Sequence, residues 1–295
     1  MIARTMKNSV SEQNSGGLFP ERLLITDLDG TLMRSDGTIA EKDRAALLRL
    51  KARNIATAVA TGRSLYSFSR SQGAELPLDY VIFSTGAGIV RHADGCILRK
   101  VNLPPDTVAE ALTFFWDSPF DFMLHAPVPD NHHFFFRRTR QLNPDFDARI
   151  ALYQSFARPL DGRKGQPSRP AAQFLTVVDR EEARDALAFI RSSLPNMSIV
   201  HSTSPLDRKS VWIELFHPTV SKSQAASWLA AELSVLVGNT AAIGNDFNDL
   251  DLLQWTSCAY VVHNAHPDLK RQFKTVAAND HGGFAEAVDH WLDGQ

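Results

Sequence analysis

Two carboxylates lie two residues apart in the segment 27–31, which reads DLDGT. The apolar run 23–25 comes before it, so Asp27 and Asp29 are expected at the end of a buried strand. Such a pair suits phosphoryl transfer. One carboxylate attacks phosphorus to form an aspartyl-phosphate, and the other protonates the leaving oxygen and then activates water. Magnesium would offset the charge, and a solvated acidic turn is the alternative interpretation.

A second polar segment, Thr61, Gly62 and Arg63, ends the apolar run 55–60. A threonine hydroxyl with exposed backbone N–H groups binds phosphate oxygens, and Gly62 allows the backbone to approach closely. The segment therefore predicts part of a phosphate site, although a plain turn from strand to helix has the same composition.

Lys222 lies near the start of a helix predicted over about 222–233. An ammonium is unfavourable at the positive end of a helix dipole. We therefore expect an anionic partner, either phosphate or Asp27, unless Lys222 is an ordinary surface lysine.

The segment 244–249 (GNDFND) follows a predicted strand, 241–243, and leads into a predicted helix, 249–255. Four of its side chains carry oxygen donors, which suits a hard cation such as Mg²⁺: Asn245, Asp246, Asn248 and Asp249. A helix cap rich in Asn and Asp is the alternative.

These motifs lie where parallel strands are predicted to end, and such ends meet at one edge of a sheet. The alternation of strands and helices predicts an α/β fold with a doubly wound, Rossmann-like parallel-sheet core over 20–94 and 214–295. A capping box of Thr38 and Glu41 is expected to open its first helix. Residues 95–213 lose this rhythm and predict an inserted α+β domain, and residues 1–19 predict a flexible tail.

Composition excludes several classes of function. The chain has 295 residues, 44% of them hydrophobic, and a formal charge of −2, so no basic field favours nucleic acid. No apolar run reaches the length of a membrane span. The two cysteines, Cys96 and Cys258, are far apart, which indicates neither a disulfide framework nor a zinc site and fits a reducing cytoplasm. Oligomeric state stays open between a monomer and a small homo-oligomer.

Taken together, the motifs resemble the haloacid dehalogenase superfamily of phosphatases, in the branch with a type II α/β cap and Cof-like sugar phosphatases. Asp27 and Asp29 match its nucleophile and its acid/base, Thr61 its second-motif threonine, and Lys222 its third-motif lysine. Residues 244–249 match the family's GDxxND metal loop. The late stretches 262–265 (VHNA) and 282–283 (GG) resemble further signatures of that branch. In this family the cap is inserted between the second and third motifs.

The resemblance implies a Mg²⁺ site at Asp27 and Asp29, with Asn245 or Asp246 as the third protein ligand. Asn245 stands where the family has an aspartate, and the register favours it. Asp249 resembles the residue that orients the lysine. The implied phosphate-binding set comprises Leu28, Thr61, Gly62, Arg63, Lys222 and Asn248.

The resemblance implies a magnesium-dependent hydrolase of a small phosphorylated metabolite, most readily a sugar phosphate. A phosphosugar mutase and a catalytically silent phospholigand-binding protein are the alternatives. The cap is expected to select the substrate. Its candidate contacts each have a structural alternative, as basic edge, packed histidines or packed tryptophans: Arg137, Arg138, Arg140, His132, His133, Trp116 and Trp212.

Overall fold

The structure is a computed structural model that describes residues 20–140, 142–162 and 169–294. The predicted tail, 1–19, lies outside the described residues. The strands, in chain order, are β1 Leu23–Thr26, β2 Ala56–Ala60, β3 Tyr80–Phe83, β4 Gly88–Arg91, β5 Ile97–Lys100, β6 Phe122–His125, β7 Phe134–Arg137, β8 Ala157–Pro159, β9 Gln173–Val178, β10 Ser198–Thr203, β11 Val211–Phe216, β12 Thr240–Gly244, β13 Cys258–Val262 and β14 Lys274–Val276.

Helices connect most of these strands. They are α1 Glu41–Ala52, α2 Leu65–Ser69, α3 Pro105–Asp117, α4 Pro144–Leu152, α5 Ala183–Ser193, α6 Lys222–Glu232, α7 Leu250–Trp255, α8 Pro267–Lys270 and α9 Gly283–Asp293. The helices predicted over about 222–233 and 249–255 are present as α6 and α7, within one residue of their expected ends.

The first sheet has the strand order β14-β13-β12-β1-β2-β3-β4-β5. It is parallel from β14 to β3, and β4 and β5 extend it as antiparallel strands. Strands β1, β2 and β12 are buried along their whole length, because helices cover the sheet and apolar side chains fill both faces. This α/β core confirms the predicted fold class. It also brings the carboxyl ends of β1, β2 and β12 together.

The predicted capping box at the first helix is wrong. Helix α1 begins at Glu41, its N-cap is Ala40, and no side chain caps it. The Thr38 hydroxyl instead donates to the carboxylate of Asp36, 2.6 Å away. The Thr38 hydroxyl therefore bonds within its own turn and does not cap the helix.

The second sheet has the order β10-β11-β9-β6-β7-β8 and is antiparallel except for the β7–β8 pair. Helices α3 and α5 pack on one face, where Phe115 and Ile190 contact the sheet core. On the other face, Phe146 of α4 packs with Leu175 and Trp212. This α+β unit lies where the sequence lost its parallel rhythm.

Sheet membership refines the domain boundaries. Strand β5 belongs to the first sheet, and all of β11 belongs to the second. We therefore propose that the inserted domain spans 101–216, whereas the sequence led us to expect 95–213. Among the described residues, no helix has the length and apolar character needed to cross a bilayer.

Gly86 permits a close approach between the loop after β3 and the start of α6. Its φ is +103°, and a Cβ at this position would lie 2.3 Å from the carbonyl oxygen of Ser221, the N-cap of α6. A side chain here would therefore push against the turn that presents Lys222.

We predict that Gly86→Ala destabilises the fold by about 1–3 kcal/mol more than Gly37→Ala, measured by urea unfolding. Gly37 is a matched control, because its φ is also positive at +82° while a Cβ there would meet nothing within 4 Å. The backbone strain is thus shared, and only the collision differs. Equal losses in the two variants would contradict the collision.

Candidate active site

Asp27, Thr61 and Asn245, three of the predicted site residues, lie at the carboxyl edge of the first sheet. Asp27 follows β1, and its backbone N–H donates to Ile243 of β12 at 2.9 Å. Thr61 follows β2, and its N–H donates to Ile82 of β3 at 2.9 Å. Because each residue extends the pairing of its strand, the backbone positions are set by the sheet itself. Asn245 follows β12 at the same edge.

Lys222 is fully buried, and its ammonium donates to two carboxylates. The distances from Nζ to Oδ1 of Asp27 and to Oδ1 of Asp249 are both 2.6 Å. Lys222 therefore has two anionic partners, the expected Asp27 and also Asp249. Ser221 caps the helix by accepting from the N–H of Gln224, so Lys222 opens α6 with the carboxylates offsetting the unfavourable dipole.

Burial and charge act in opposite directions on this group of ions. Burial is the largest effect on Asp27 and raises its pKa to about 7, against the lowering effect of Lys222; Asp249 and Asp29 raise it further. Burial lowers the pKa of Lys222, but the two carboxylates outweigh this and hold it above its ordinary value. Lys222 therefore stays charged, and the site is short of positive charge around Asp27.

Arg63 binds Asp29 with a bidentate ion pair. Its Nε donates to Oδ2 at 2.7 Å and one terminal nitrogen donates to Oδ1 at 2.6 Å. The Asp29 hydrogen bond is the largest cause that raises the pKa of Arg63. The sequence predicted Arg63 as a phosphate contact, whereas in the structure it orients the second carboxylate.

Thr61 is 1% exposed, and its hydroxyl oxygen accepts from the N–H of Arg63 at 3.1 Å. The backbone N–H of Thr85 donates to the Thr61 carbonyl at 3.0 Å. Ser84 and Thr85 have φ values of 50° and 57°, a conformation that costs most residues about 1–3 kcal/mol. Sequence reasoning gave these two residues no role, although they end β3 beside the site.

The remaining predicted phosphate contacts, Leu28, Gly62 and Asn248, lie in different surroundings. The side chain of Leu28 is buried in the core, so only its backbone can face a ligand. Gly62 lies beside Thr85, since a Cβ on it would be 3.7 Å from that hydroxyl. Asn248 lies half-buried in the short turn after β12.

The two candidates for the third metal ligand point in different directions. The Asn245 amide lies against the DLDGT turn, with Nδ2 donating to the carbonyl of Asp29 at 3.3 Å. Asp246 instead caps the next turn, where its Oδ1 accepts from Phe247, and its Oδ2 accepts from the N–H of Thr203 in β10 at 2.8 Å. Both Asp246 oxygens are therefore already engaged.

Asp249 connects the segment 244–249 to Lys222. While its Oδ1 accepts from Lys222, its Oδ2 accepts from the N–H of Asn245 at 2.9 Å and of Asp246 at 3.2 Å. One carboxylate thus holds both the loop and the ammonium, and its orienting role in catalysis stays a prediction.

Asn264, in the stretch 262–265, contacts the DLDGT turn. Asn264 donates to the carbonyl of Gly30 at 2.8 Å, and its Oδ1 accepts from the N–H of Asn279 at 3.0 Å. Gly30 has a φ of +76° and packs against Asn245. The DLDGT turn is therefore stabilised from two neighbouring loops.

Comparison with known proteins decides the family. A family model described as haloacid dehalogenase-like hydrolase matches residues 24–288. The chain belongs to this family. An HMP-PP phosphatase from Cronobacter sakazakii is 27% identical over 282 residues, which cover 92% of this chain and 96% of that protein. An HMP-PP phosphatase from Klebsiella pneumoniae is 24% identical over 275 residues, with coverage of 92% and 96%.

Solved structures of this family share the fold. A phosphatase of the haloalkanoate (HAD) superfamily from Bacteroides thetaiotaomicron superposes with a TM-score of 0.74 at 20% identity, covering 96% of this chain and 99% of that one. A HAD subclass IIB sugar phosphatase superposes with a TM-score of 0.70 at 18% identity, covering 92% and 99%. The resemblance drawn from the sequence motifs is thus confirmed, and with it the hydrolase class.

We predict that Lys222→Met destabilises the protein by about 3–5 kcal/mol near pH 8, because Asp27 and Asp249 would be buried without their shared cation. Burial already raises the pKa of Asp27 to about 7, and without Lys222 this pKa rises further, so the stability of the variant falls as pH rises. The loss should therefore be smaller near pH 5. Urea unfolding at the two pH values measures both effects.

The exposed helical lysine Lys51 provides the control. Lys51→Met should change the free energy of unfolding by less than about 0.5 kcal/mol. A similar loss in both variants, or a Lys222→Met loss independent of pH, would contradict the buried ion group.

Proposed function

We propose that the protein is a phosphomonoester hydrolase that uses Asp27 as a covalent nucleophile. The observation that carries the proposal is the Asp27 carboxylate, 5% exposed at the carboxyl end of β1, with the Lys222 ammonium 2.6 Å away. A buried carboxylate paired with a cation at this sheet edge suits attack on an anionic phosphorus centre.

In the proposed reaction, an Asp27 oxygen forms a bond to phosphorus as the bond to the leaving alcohol breaks. Asp29 gives a proton to the leaving oxygen and then takes one from water, which attacks the aspartyl-phosphate. Arg63 holds Asp29 in place. The Thr61 hydroxyl and Lys222 bind the phosphoryl oxygens, where their positive ends offset the developing charge.

The residues present suit a magnesium ion. Asp27 would contribute a carboxylate oxygen and Asn245 its amide oxygen, while Asp29 would contribute its backbone carbonyl, because Arg63 engages both of its carboxylate oxygens. Hard divalent cations prefer such oxygens. When bound, Mg²⁺ would neutralise phosphate and carboxylate charge.

The proposed substrate class is a small phosphorylated metabolite, a sugar phosphate in the first instance. Relatives along nearly the whole chain are named HMP-PP phosphatases, and a subclass IIB sugar phosphatase shares the fold. Both names describe small phosphorylated substrates, and His201 of the inserted sheet stacks on Phe247, in the segment that follows β12.

We predict that Asp27→Asn lowers kcat for phosphate release by at least about 10³-fold, because the amide cannot form the phosphoryl-enzyme. The assay measures free phosphate from p-nitrophenyl phosphate and a sugar-phosphate panel, with Mg²⁺ present and chelated. Asp106→Asn, an exposed carboxylate in α3, is the control and should retain full activity. Undiminished turnover by Asp27→Asn would refute the nucleophile, and phosphoryl transfer without free phosphate would indicate a mutase.

We predict that Asn245→Asp raises Mg²⁺ affinity by roughly tenfold, because it adds a second carboxylate to the donor set. Isothermal titration calorimetry of the full chain with Mg²⁺ measures this directly. Asp246→Asn is the matched control, since both Asp246 oxygens are engaged elsewhere, and it should change affinity much less. A larger effect from Asp246→Asn would assign the third ligand to Asp246.

A further inference from the structure

The segment 126–133 connects β6 and β7 of the inserted domain and is docked on the α/β core. Val128 is 4% exposed and packs within the hydrophobic cluster that surrounds the first sheet. The ring of His132 stacks on Tyr66 of α2, with centroids 4.4 Å apart. Apolar burial and ring stacking therefore hold this segment of the inserted domain against the core.

Asn131 extends from this segment to the loop that follows β3. It is 4% exposed, and its Nδ2 donates to the hydroxyl oxygen of Ser84 at 2.8 Å. Its backbone carbonyl lies 2.7 Å from Nδ1 of His125 in β6. Ser84 and His125 are themselves buried, so water does not compete for either contact. The side chain of Asn131 is thus fixed between the inserted sheet and the core.

Ser84 and Thr85 adopt a backbone conformation that residues other than glycine seldom adopt. Their φ values are 50° and 57°, and Gly86 follows with +103°. Such a conformation persists only where the surroundings impose it. The N–H of Ser84 donates to the carbonyl of Arg63 at 2.8 Å, and the N–H of Thr85 donates to that of Thr61 at 3.0 Å. The strained pair is therefore bonded to the loop that carries two residues of the proposed reaction.

The function of that loop depends on its exact position. Arg63 binds both carboxylate oxygens of Asp29, at 2.7 and 2.6 Å, and such a bidentate pair depends on orientation. The Thr61 hydroxyl accepts from the N–H of Arg63 at 3.1 Å, so the two side chains move together. A displacement of about 1 Å in catalytic groups lowers rates by up to about 10²-fold. Whatever fixes Ser84 therefore also affects the reaction.

We propose that Asn131 is a positioning residue, which acts through Ser84 to hold Thr61 and Arg63 in the arrangement that the reaction needs. The inference rests on the proposed phosphatase function. Asn131 belongs to the inserted domain, so docking of that domain and the arrangement of the site are coupled. Because Asn131 acts through the loop and not on the leaving group, its loss should affect every substrate equally.

Asn131→Ala should lower kcat about tenfold, for p-nitrophenyl phosphate and for the most active sugar phosphate alike, and change KM by less than about twofold. Phosphate release by the full chain with Mg²⁺ measures both constants, and urea unfolding measures stability. A loss confined to the sugar phosphate would make Asn131 a substrate contact. A lower free energy of unfolding with unchanged kcat would make its role structural. Either result overturns the inference.

Asn102→Ala is the matched control. The Oδ1 of Asn102 accepts from the N–H of Val128 at 2.9 Å, so this variant also removes one hydrogen bond that holds the segment 126–133. It should change kcat by less than about twofold, because the lost bond does not lead to Ser84. A loss as large as that of Asn131→Ala would show that any weakening of the segment has this effect, and would overturn the inference.

Ser84→Ala removes the same hydrogen bond from the other side. It should lower kcat by a similar factor, and the double variant with Asn131→Ala should be at most about twofold slower than the slower single variant. Losses that multiply would contradict a shared path. Ser84→Ala also tests the inference if Asn131→Ala does not fold, since unchanged kcat would then overturn it. Absence of phosphate release by the unmodified chain overturns the proposed function, whereas active variants overturn this inference alone.

Discussion

The buried ammonium of Lys222 is the interaction on which the rest of the site depends. It offsets part of the negative charge of Asp27 and Asp249, two carboxylates that come from different loops and would otherwise repel in a medium that excludes water. Asp249 then uses its second oxygen to hold Asn245. Asp27, the segment 244–249 and the start of α6 are therefore parts of one electrostatic unit.

The contact between the sheets extends this unit to the inserted domain. Asp246, which follows Asn245 in the chain, accepts from the backbone N–H of Thr203 in β10. His201 of the same strand stacks on Phe247, with ring centroids 5.0 Å apart. On the opposite side Asn131 binds Ser84. Because both connections begin at residues next to catalytic ones, a shift of the inserted domain changes the surroundings of the reacting groups directly.

Sequence reasoning located Asp27, Thr61 and Lys222 because each follows a strong local pattern, an apolar strand or a helix start, and parallel strands must end at one edge. It did not foresee the bidentate pair between Arg63 and Asp29, which joins residues 34 positions apart; a phosphate contact at Arg63 stays a prediction. It also placed a capping box at Thr38, whereas the structure has one at Asp246. Competition among nearby hydrogen-bond partners is resolved by three-dimensional distance, which spacing alone does not encode.

Residue types and their spacing by themselves determined the α/β core, the carboxylate pair, the inserted domain and the family to which the chain belongs. Periodicity and strand-end motifs involve residues close together in the chain, so they can be recognised in the sequence alone. Tertiary structure decided which side of each strand faces the site. The sequence did not show that Gln173 of β9 donates to Glu214 of β11, because that contact depends on strand pairing and joins residues 41 positions apart in the chain.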